Sequence, residues 1–186
     1  MAIDKVTSAS ITTDAVGPTQ LNEASNYAFT GTVTGAGESN APSFSANNTS
    51  TTVTASLNTA VKATFDNELY DTASAYDTSN SRFTVPSGQA GKYYFETSFN
   101  SFESTANNTS TGWSVYLYKN GSNLIFLSQG GGSHTGNARM NMLSGCFNLS
   151  VGDYIEVYFR VNASSGNASY DVGSAYNRFS GFKISS

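Results

Sequence analysis

The sequence predicts an all-β domain of the sandwich or jelly-roll type, preceded by an extended N-terminal arm. Aromatic residues make up 13% of the 186 residues, with 12 Phe and 11 Tyr, and supply enough apolar area for a core. Charged residues account for only 12% of the chain, so helix-forming residues are scarce. Several segments alternate apolar and polar residues with period two, which is the pattern of a half-buried strand.

Residues 1–42 differ from the rest of the chain and are predicted to be an anchoring arm and linker. Their apolar residues are sparse and irregularly spaced, and the segment ends in a connector rich in Gly, Ser and Thr. These apolar residues are Ile3, Val6, Ile11, Val16 and Leu21. Two interpretations stay open: a disordered tail, or an extended arm that orders only against a partner surface.

Residues 43–186 are predicted to be the head domain, because short strand patterns separated by turns begin at Ser43. The clearest alternation runs through Tyr154–Val161, and Lys92–Asn100 and Trp113–Lys119 repeat it. Asn120-Gly121 then favours a tight hairpin, because both residues accept positive φ. Further candidate strands are Thr51–Leu57, Arg82–Val85, Asn123–Ser128, Arg139–Leu149 and Gly181–Ile184.

Several of these strands carry a tyrosine on the face opposite the predicted core. They are Tyr94, Tyr116, Tyr118, Tyr154 and Tyr158. Tyrosine combines a wide apolar ring with one hydroxyl and is enriched at protein interfaces. Exposed single tyrosines are also ordinary on β proteins, so the alternatives are a plain surface or a subunit contact. The candidates for the contact are Tyr94, Tyr116, Tyr118 and Tyr158.

Six short elements follow one another in the head at suitable spacing. They are Thr64-Phe65-Asp66, Tyr76-Asp77, Ser81–Pro86 with Gly91–Phe95, Leu117–Gly121, Leu149–Ile155 and Phe179–Ile184. Together they resemble the complement component 1q/tumour necrosis factor-like jelly roll over about three quarters of the chain. The resemblance implies a ten-stranded jelly roll, assembled as a trimer with aromatic residues along the three-fold axis, for which Tyr94 and Tyr118 are candidates. It also implies a binding module rather than an enzyme.

The arm carries a second resemblance. Ser10–Leu21 is similar to segments that recur in bacteriophage tail and fibre proteins ahead of a receptor-binding or decorating head. Met1–Lys5 lacks the apolar core of a signal peptide, and the chain has no collagen-like Gly-X-Y repeat. These features lead us to expect a virion surface protein, made in a host cytoplasm, whose arm attaches to capsid or tail proteins.

Charge and motifs disfavour several other classes of function. The net charge of −4 comes without any basic run, which argues against nucleic-acid binding, and no apolar stretch is long enough for membrane insertion. Cys146, the only cysteine, is expected to be buried and inert. No motif identifies a catalytic residue or a dedicated metal loop, so neither a catalytic site nor a cofactor is expected, while loop carboxylates keep Ca²⁺ open as an alternative.

Two segments are expected to be loops that contact a ligand. His134 lies in the glycine-rich stretch Gly130–Gly136, and Asp171 and Tyr176 lie in Asn162–Asn177. A host cell-surface glycan or protein is the expected ligand, and a solvated histidine without function is the alternative.

Three functions remain open from the sequence. The first is a non-enzymatic homotrimeric virion surface protein, which acts in capsid decoration and stabilisation or in attachment to the host. The second is a secreted lectin-like or signalling ligand with the same head. The third, a glycan-degrading enzyme, would need two facing carboxylates in a groove, and no such pair stands out.

Overall fold

The computed structural model describes residues 42–49, 55–103, 110–134, 139–170 and 177–185. The predicted arm, with Ile3, Val6, Ile11, Val16 and Leu21, lies outside these ranges. The described residues form strands without any helix, and therefore include no helix that could cross a membrane. The strands are β1 (Ser43–Asn47), β2 (Val61–Lys62), β3 (Asn67–Asp71), β4 (Tyr76–Asp77), β5 (Arg82–Thr84), β6 (Gly91–Glu103), β7 (Ser110–Lys119), β8 (Ser122–His134), β9 (Arg139–Leu149), β10 (Tyr154–Ala163), β11 (Ala168–Tyr170) and β12 (Arg178–Ser185).

The strands form two antiparallel sheets that enclose one core. Sheet 1 has the order β11-β6-β12-β1-β3, and β9 also pairs with β6. Sheet 2 has the order β4-β5-β10-β7-β8, and β2 also pairs with β10. The first strand pairs with the last, from Ser43 opposite Phe182 to Asn47 opposite Arg178, so sequence-distant segments meet in the middle of sheet 1. The predicted all-β jelly roll is confirmed.

Alternate residues of the longest strands build the core between the sheets. In β10 the predicted inward residues are all fully buried: Ile155, Val157, Phe159 and Val161. β6 and β7 follow the same alternation, and their buried members include Tyr93, Phe95, Phe99, Trp113, Val115 and Leu117. Period two places one set of side chains inward because successive residues of a strand point to opposite faces. The predicted core faces of these three strands are therefore confirmed.

Phe44 of β1 lies at the centre of an aromatic part of the core. Its ring stacks on those of Tyr76 and Phe83, with centroids 4.9 and 5.0 Å away. The ring of Phe179 meets it edge-on at 4.9 Å. Because Tyr76 and Phe83 belong to sheet 2 and Phe44 to sheet 1, this cluster joins the two sheets.

Two turns at one end of the sandwich are tied together by Asp153. Asn120 and Gly121 have φ of 52° and 78°, as predicted for the hairpin between β7 and β8. The Asp153 carboxylate accepts hydrogen bonds from Asn120 Nδ2 at 2.7 Å and from the Ser150 backbone N–H at 2.8 Å. Lys119 Nζ lies 2.8 Å from Asp153 Oδ2. The pKa of Asp153 is lowered to about 2, mainly because Lys119 donates a hydrogen bond to its carboxylate, with smaller contributions from Asn120 and Ser150.

This depressed pKa predicts a pH-dependent contribution of Asp153 to stability. The carboxyl of the unfolded chain titrates near pH 3.9, so its stabilising effect is complete above that pH and is lost as pH falls through about 2. We expect Asp153→Asn to lower the free energy of unfolding by about 1 kcal/mol near pH 6, after allowance for solvent screening. Urea unfolding of both chains should show this difference vanish near pH 2, and a difference that stays constant with pH would contradict the prediction.

The structure corrects two of the loop predictions. The backbone of Gly130–His134 continues β8, with His134 opposite Ser110 of β7, because a paired neighbour can hold glycine-rich backbone in a ladder without help from side chains. The segment Asn162–Asn177 contains the short strand β11, which pairs with the end of β6. The His134 side chain, Asp171 and Tyr176 lie outside the described part of the chain.

Two further expectations also differ from the structure. Of the predicted strand Thr51–Leu57, the described residues 55–57 make only an isolated bridge, between Ala55 and Ala168. Cys146 is exposed rather than buried, because alternation along β9 points its side chain away from the core, opposite Tyr94 of β6.

Candidate functional site

The four tyrosines predicted at a subunit contact lie on two different sheets. Tyr94, between the buried Tyr93 and Phe95, points outward from sheet 1. Tyr116, Tyr118 and Tyr158 belong to β7 and β10 of sheet 2 and occupy its outer face. The structure thus brings three of the four together and separates them from Tyr94.

The three tyrosines of sheet 2 form a cluster with Phe126, a residue that the sequence did not single out. Tyr118 and Tyr158 stack with centroids 4.0 Å apart and an interplanar angle of 14°. Tyr116 meets Tyr118 edge-on at 6.0 Å and stacks on Phe126 at 5.6 Å. Tyr116 is only 8% exposed, whereas Phe126 is 58% exposed. Much of this tyrosine surface is therefore already covered within one subunit.

Charged side chains border this cluster and pair with one another. Lys62 Nζ lies 2.5 Å from Glu156 Oε1, and only 8% of the Glu156 side chain is exposed. The Arg82 guanidinium lies over the ring of Tyr154, 4.8 Å from its centroid. Partial burial, together with the charge of Glu156, raises the pKa of the Tyr158 hydroxyl. One acid on this face is thus paired, whereas the Nε atoms of Arg82 and Arg160 have no hydrogen-bond partner among the described residues.

The outer face of sheet 1 presents more exposed apolar surface. Around Tyr94, which contacts the ring of Phe182 at a centroid distance of 5.4 Å, lie several large apolar side chains that face solvent. They are Tyr70 (51% exposed), Met140 (42%), Met142 (70%), Phe182 (37%) and Ile184 (42%). We call this surface, together with Tyr94, the sheet 1 face. A monomer seldom leaves so many large apolar side chains together in water, so this face is the candidate contact surface.

Two adjoining concave regions lie on the sheet 1 face. One, of about 430 Å³, has Met142 in its wall, and the other, of about 300 Å³, has Tyr70. Tyr94, Glu96 and Arg178 line both regions. The Tyr94 hydroxyl donates a hydrogen bond to Glu96 Oε2 at 3.2 Å. The face therefore combines apolar walls with one acidic and one basic side chain at its middle.

Within the described ranges, no group of three or more His, Cys, Asp or Glu side chains is placed to hold a metal ion. The side chains around the two concave regions instead provide aromatic rings, a thioether, hydroxyls and two opposite charges. These are groups that bind surfaces or ligands by packing and hydrogen bonding.

Comparisons with known proteins agree with this architecture. The C1q domain family matches residues 43–184. The globular domain of zebrafish complement 1qA is similar in fold, with 18% sequence identity, a TM-score of 0.52 and coverage of 77% of this chain and 98% of that one. Murine APRIL, crystallised at pH 5.0, shows 14% identity, a TM-score of 0.53 and the same two coverages.

Eiger TNF from S. frugiperda also shares the fold, with 14% identity, a TM-score of 0.51 and coverage of 77% of this chain and 92% of that one. Among curated proteins, none matches the chain. The family match spans most of the chain and all twelve strands begin within it. The chain therefore belongs to the C1q domain family.

Proposed function

We propose that the protein is a non-enzymatic, homotrimeric binding module whose heads meet through the sheet 1 face. C1q and tumour necrosis factor-like domains are generally binding or ligand domains. The main support for a trimer is that the large apolar side chains of Met142, Tyr70 and Phe182 are exposed around Tyr94. A second copy that covers these side chains removes their apolar area from water, which favours association.

Only one outer face of the sandwich can line a three-fold axis. In a closed trimer each subunit contacts its two neighbours in directions about 60° apart. The outer faces of sheets 1 and 2 point away from each other, so they cannot both lie at that contact. In the proposed trimer Tyr94 therefore lies at the contact, and Tyr116, Tyr118 and Tyr158 lie on the side that faces away from the axis.

Replacing two apolar residues of the sheet 1 face should dissociate the trimer without unfolding the head. We expect the wild-type chain to have three times the subunit mass of 19.6 kDa in light scattering. Tyr94→Ser combined with Phe182→Ser should raise the dissociation constant at least about tenfold, because both rings leave the contact. Sedimentation velocity over a range of concentrations measures this change.

The matched control is Tyr118→Ser combined with Tyr158→Ser, which removes two aromatic rings from the opposite face. This variant should stay trimeric, with a near-normal circular dichroism spectrum. A monomeric wild-type chain would contradict the proposed trimer. A trimer that dissociates in the control variant and persists in the Tyr94 and Phe182 variant would place the contact on sheet 2.

We further propose that the trimer is carried on a virion, with residues 1–42 attached to capsid or tail proteins and with the heads projecting. Support comes from the similarity of Ser10–Leu21 to segments of phage tail and fibre proteins. In this setting the head decorates and stabilises the capsid or binds a host cell-surface glycan or protein. Three identical heads multiply weak contacts to a repetitive surface into avidity. No cofactor is proposed for either use.

A secreted ligand with the same head is the second candidate, because the family match is equally compatible with it. Immunogold labelling of purified particles distinguishes these functions. Label over the whole capsid supports decoration, and label confined to the tail supports attachment to the host. Protein found only in the culture medium, with unlabelled particles, would overturn the virion proposal in favour of the secreted ligand.

A further inference from the structure

We propose that the outer face of sheet 2 binds an acidic oligosaccharide, with one sugar ring packed on Phe126 and the acid group of a nearby sugar paired with Arg160. This inference rests on the proposed binding function and names the chemical class of its ligand. In the proposed trimer this face points away from the axis, so each of the three heads presents one copy of it.

Most charges on the strands of sheet 2 are balanced by neighbouring side chains. The Lys, Arg, Asp and Glu residues of these strands within the described ranges are Lys62, Asp77, Arg82, Lys119, Glu156 and Arg160. Lys62 and Lys119 each pair with a carboxylate. Arg82 lies opposite Asp77 of β4 on one side and opposite Glu156 of β10 on the other, so two acids flank its guanidinium.

Arg160 of β10 has a charge that no described side chain balances. It alternates with the buried Phe159 and Val161, so its side chain points to the outer face. It lies opposite the short Ser114 of β7, and no carboxylate of the described residues lies within ion-pairing distance of its guanidinium.

The Arg160 side chain is packed along its stem and leaves its tip for a ligand. Its Nε is buried without a hydrogen-bond partner among the described residues, whereas its two terminal nitrogens are not buried in this way. A planar guanidinium forms two parallel hydrogen bonds to a carboxylate or a phosphate. Because the stem is already held by packing, little conformational freedom is lost when an acid binds.

Phe126 supplies an exposed ring on the same face. It is 58% exposed, and within the described ranges it is the one large apolar side chain on the strands of sheet 2 that faces solvent to this degree. Its opposite residue, Tyr116, lies opposite Tyr158, which precedes Arg160 by two residues on β10. The Cα atoms of Phe126 and Arg160 are therefore about 12 Å apart, a distance that a short oligosaccharide spans and a single sugar does not.

The groups between these two points suit a sugar better than a protein partner. The C–H face of a sugar ring packs on an aromatic ring, and sugar hydroxyls exchange hydrogen bonds with phenol groups such as that of Tyr158. One exposed ring is too little apolar surface for a stable protein contact, which buries about 800 Å² on each partner. Since the chain has a net charge of −4, attraction of an acid depends on the local charge of Arg160.

Isothermal titration calorimetry of the full chain with matched probes tests this ligand class. Tetragalacturonate carries acid groups on sugar rings, maltotetraose has the rings without the acids, and tetraglutamate has the acids without the rings. We expect tetragalacturonate to bind at least about tenfold more tightly than the other two, because it alone satisfies both Arg160 and Phe126. A phosphorylated mannose pentasaccharide is titrated as well, and tighter binding of that probe would identify a phosphate as the preferred acid.

Arg160→Gln and Phe126→Ala test the two contacts separately. Each should raise the dissociation constant of the tighter acidic probe at least about tenfold, through loss of the charged hydrogen bonds or of the ring. Arg82→Gln is the matched control, because it makes the same change on the same face at an arginine flanked by two acids. It should leave the dissociation constant unchanged. Circular dichroism and sedimentation velocity check that all three variants keep the fold and the assembly of the wild type.

The site and the proposed assembly fail in different ways. Tight binding of tetraglutamate, equal losses in Arg82→Gln and Arg160→Gln, or no binding of either acidic probe would each overturn the site, and would leave a trimer seen by sedimentation standing. A monomeric chain that binds an acidic probe through Arg160 and Phe126 would overturn the trimer and support the site.

Discussion

Phe44→Ala should lower the free energy of unfolding of the head by about 3–5 kcal/mol, the largest loss that we expect from a single truncation. The Phe44 side chain is fully buried, and its ring contacts Tyr76 and Phe83 of the opposite sheet and Phe179 of the neighbouring strand. Removing it leaves a cavity that rings held on two sheets cannot fill. Urea unfolding followed by circular dichroism measures the change.

Phe126→Ala is the matched control for this truncation. It makes the same chemical change at a residue that is 58% exposed and has one stacking partner, Tyr116, among its ring contacts in the described part of the chain. We expect it to cost about 1 kcal/mol. Equal losses for the two variants would show that the aromatic cluster around Phe44 does not hold the sheets together.

Gly181→Ala should destabilise the head by about 1–3 kcal/mol, although it adds only one methyl group. A Cβ at this position would collide with Cδ1 of Phe95, and would lie 2.8 Å from Cε1 of the same ring and 3.0 Å from Cε1 of Phe44. Gly181 lies opposite Phe95 on one side and Phe44 on the other, so its backbone is held between two paired strands. In a densely packed core, neither the strand nor the rings can move away without losing other contacts.

The cause of this loss can be tested by making room in the core. Phe95→Leu removes the colliding ring atoms and by itself also lowers the free energy of unfolding. If the collision is the cause, Gly181→Ala should cost less in the Phe95→Leu background than in the wild type, and the double variant will be more stable than the two single losses predict. Additive losses would point to strand propensity or backbone entropy instead. Thermal and urea unfolding of the four proteins completes this cycle.

The parts of the fold that the sequence predicted well are those with a local signal. Strict alternation in β6, β7 and β10 identified their buried faces, and Asn120-Gly121 identified the hairpin, because both patterns depend only on neighbouring residues. β1 was not among the candidate strands, although the strand-like region was predicted to begin at Ser43, because Ser43–Asn47 carries one large apolar side chain, Phe44. It is a strand because β12 and β3 pair with it on both sides.

Pairing between distant strands also explains why the predictions for Gly130–His134 and Cys146 were wrong. A glycine-rich segment carries no strand signal of its own, and pairing with β7 makes it extended. Cys146 could be placed on a strand from its neighbours, but its side of that strand depended on the register of β9 against β6. The candidate contact was predicted only in part, since Met142 and Tyr70 showed no sign in the sequence of being exposed.

The sequence by itself determined which tyrosines point away from the core, because the alternation of side chains along a strand is a local property of the chain. Only the tertiary structure decided that Tyr94 belongs to one sheet and Tyr116, Tyr118 and Tyr158 to the other. Sheet membership follows from pairing between distant segments, as between Ser45 and Ser180, whose hydroxyls are 2.9 Å apart across 135 residues of sequence. No local pattern encodes such a pairing, because it depends on how all the strands share one core.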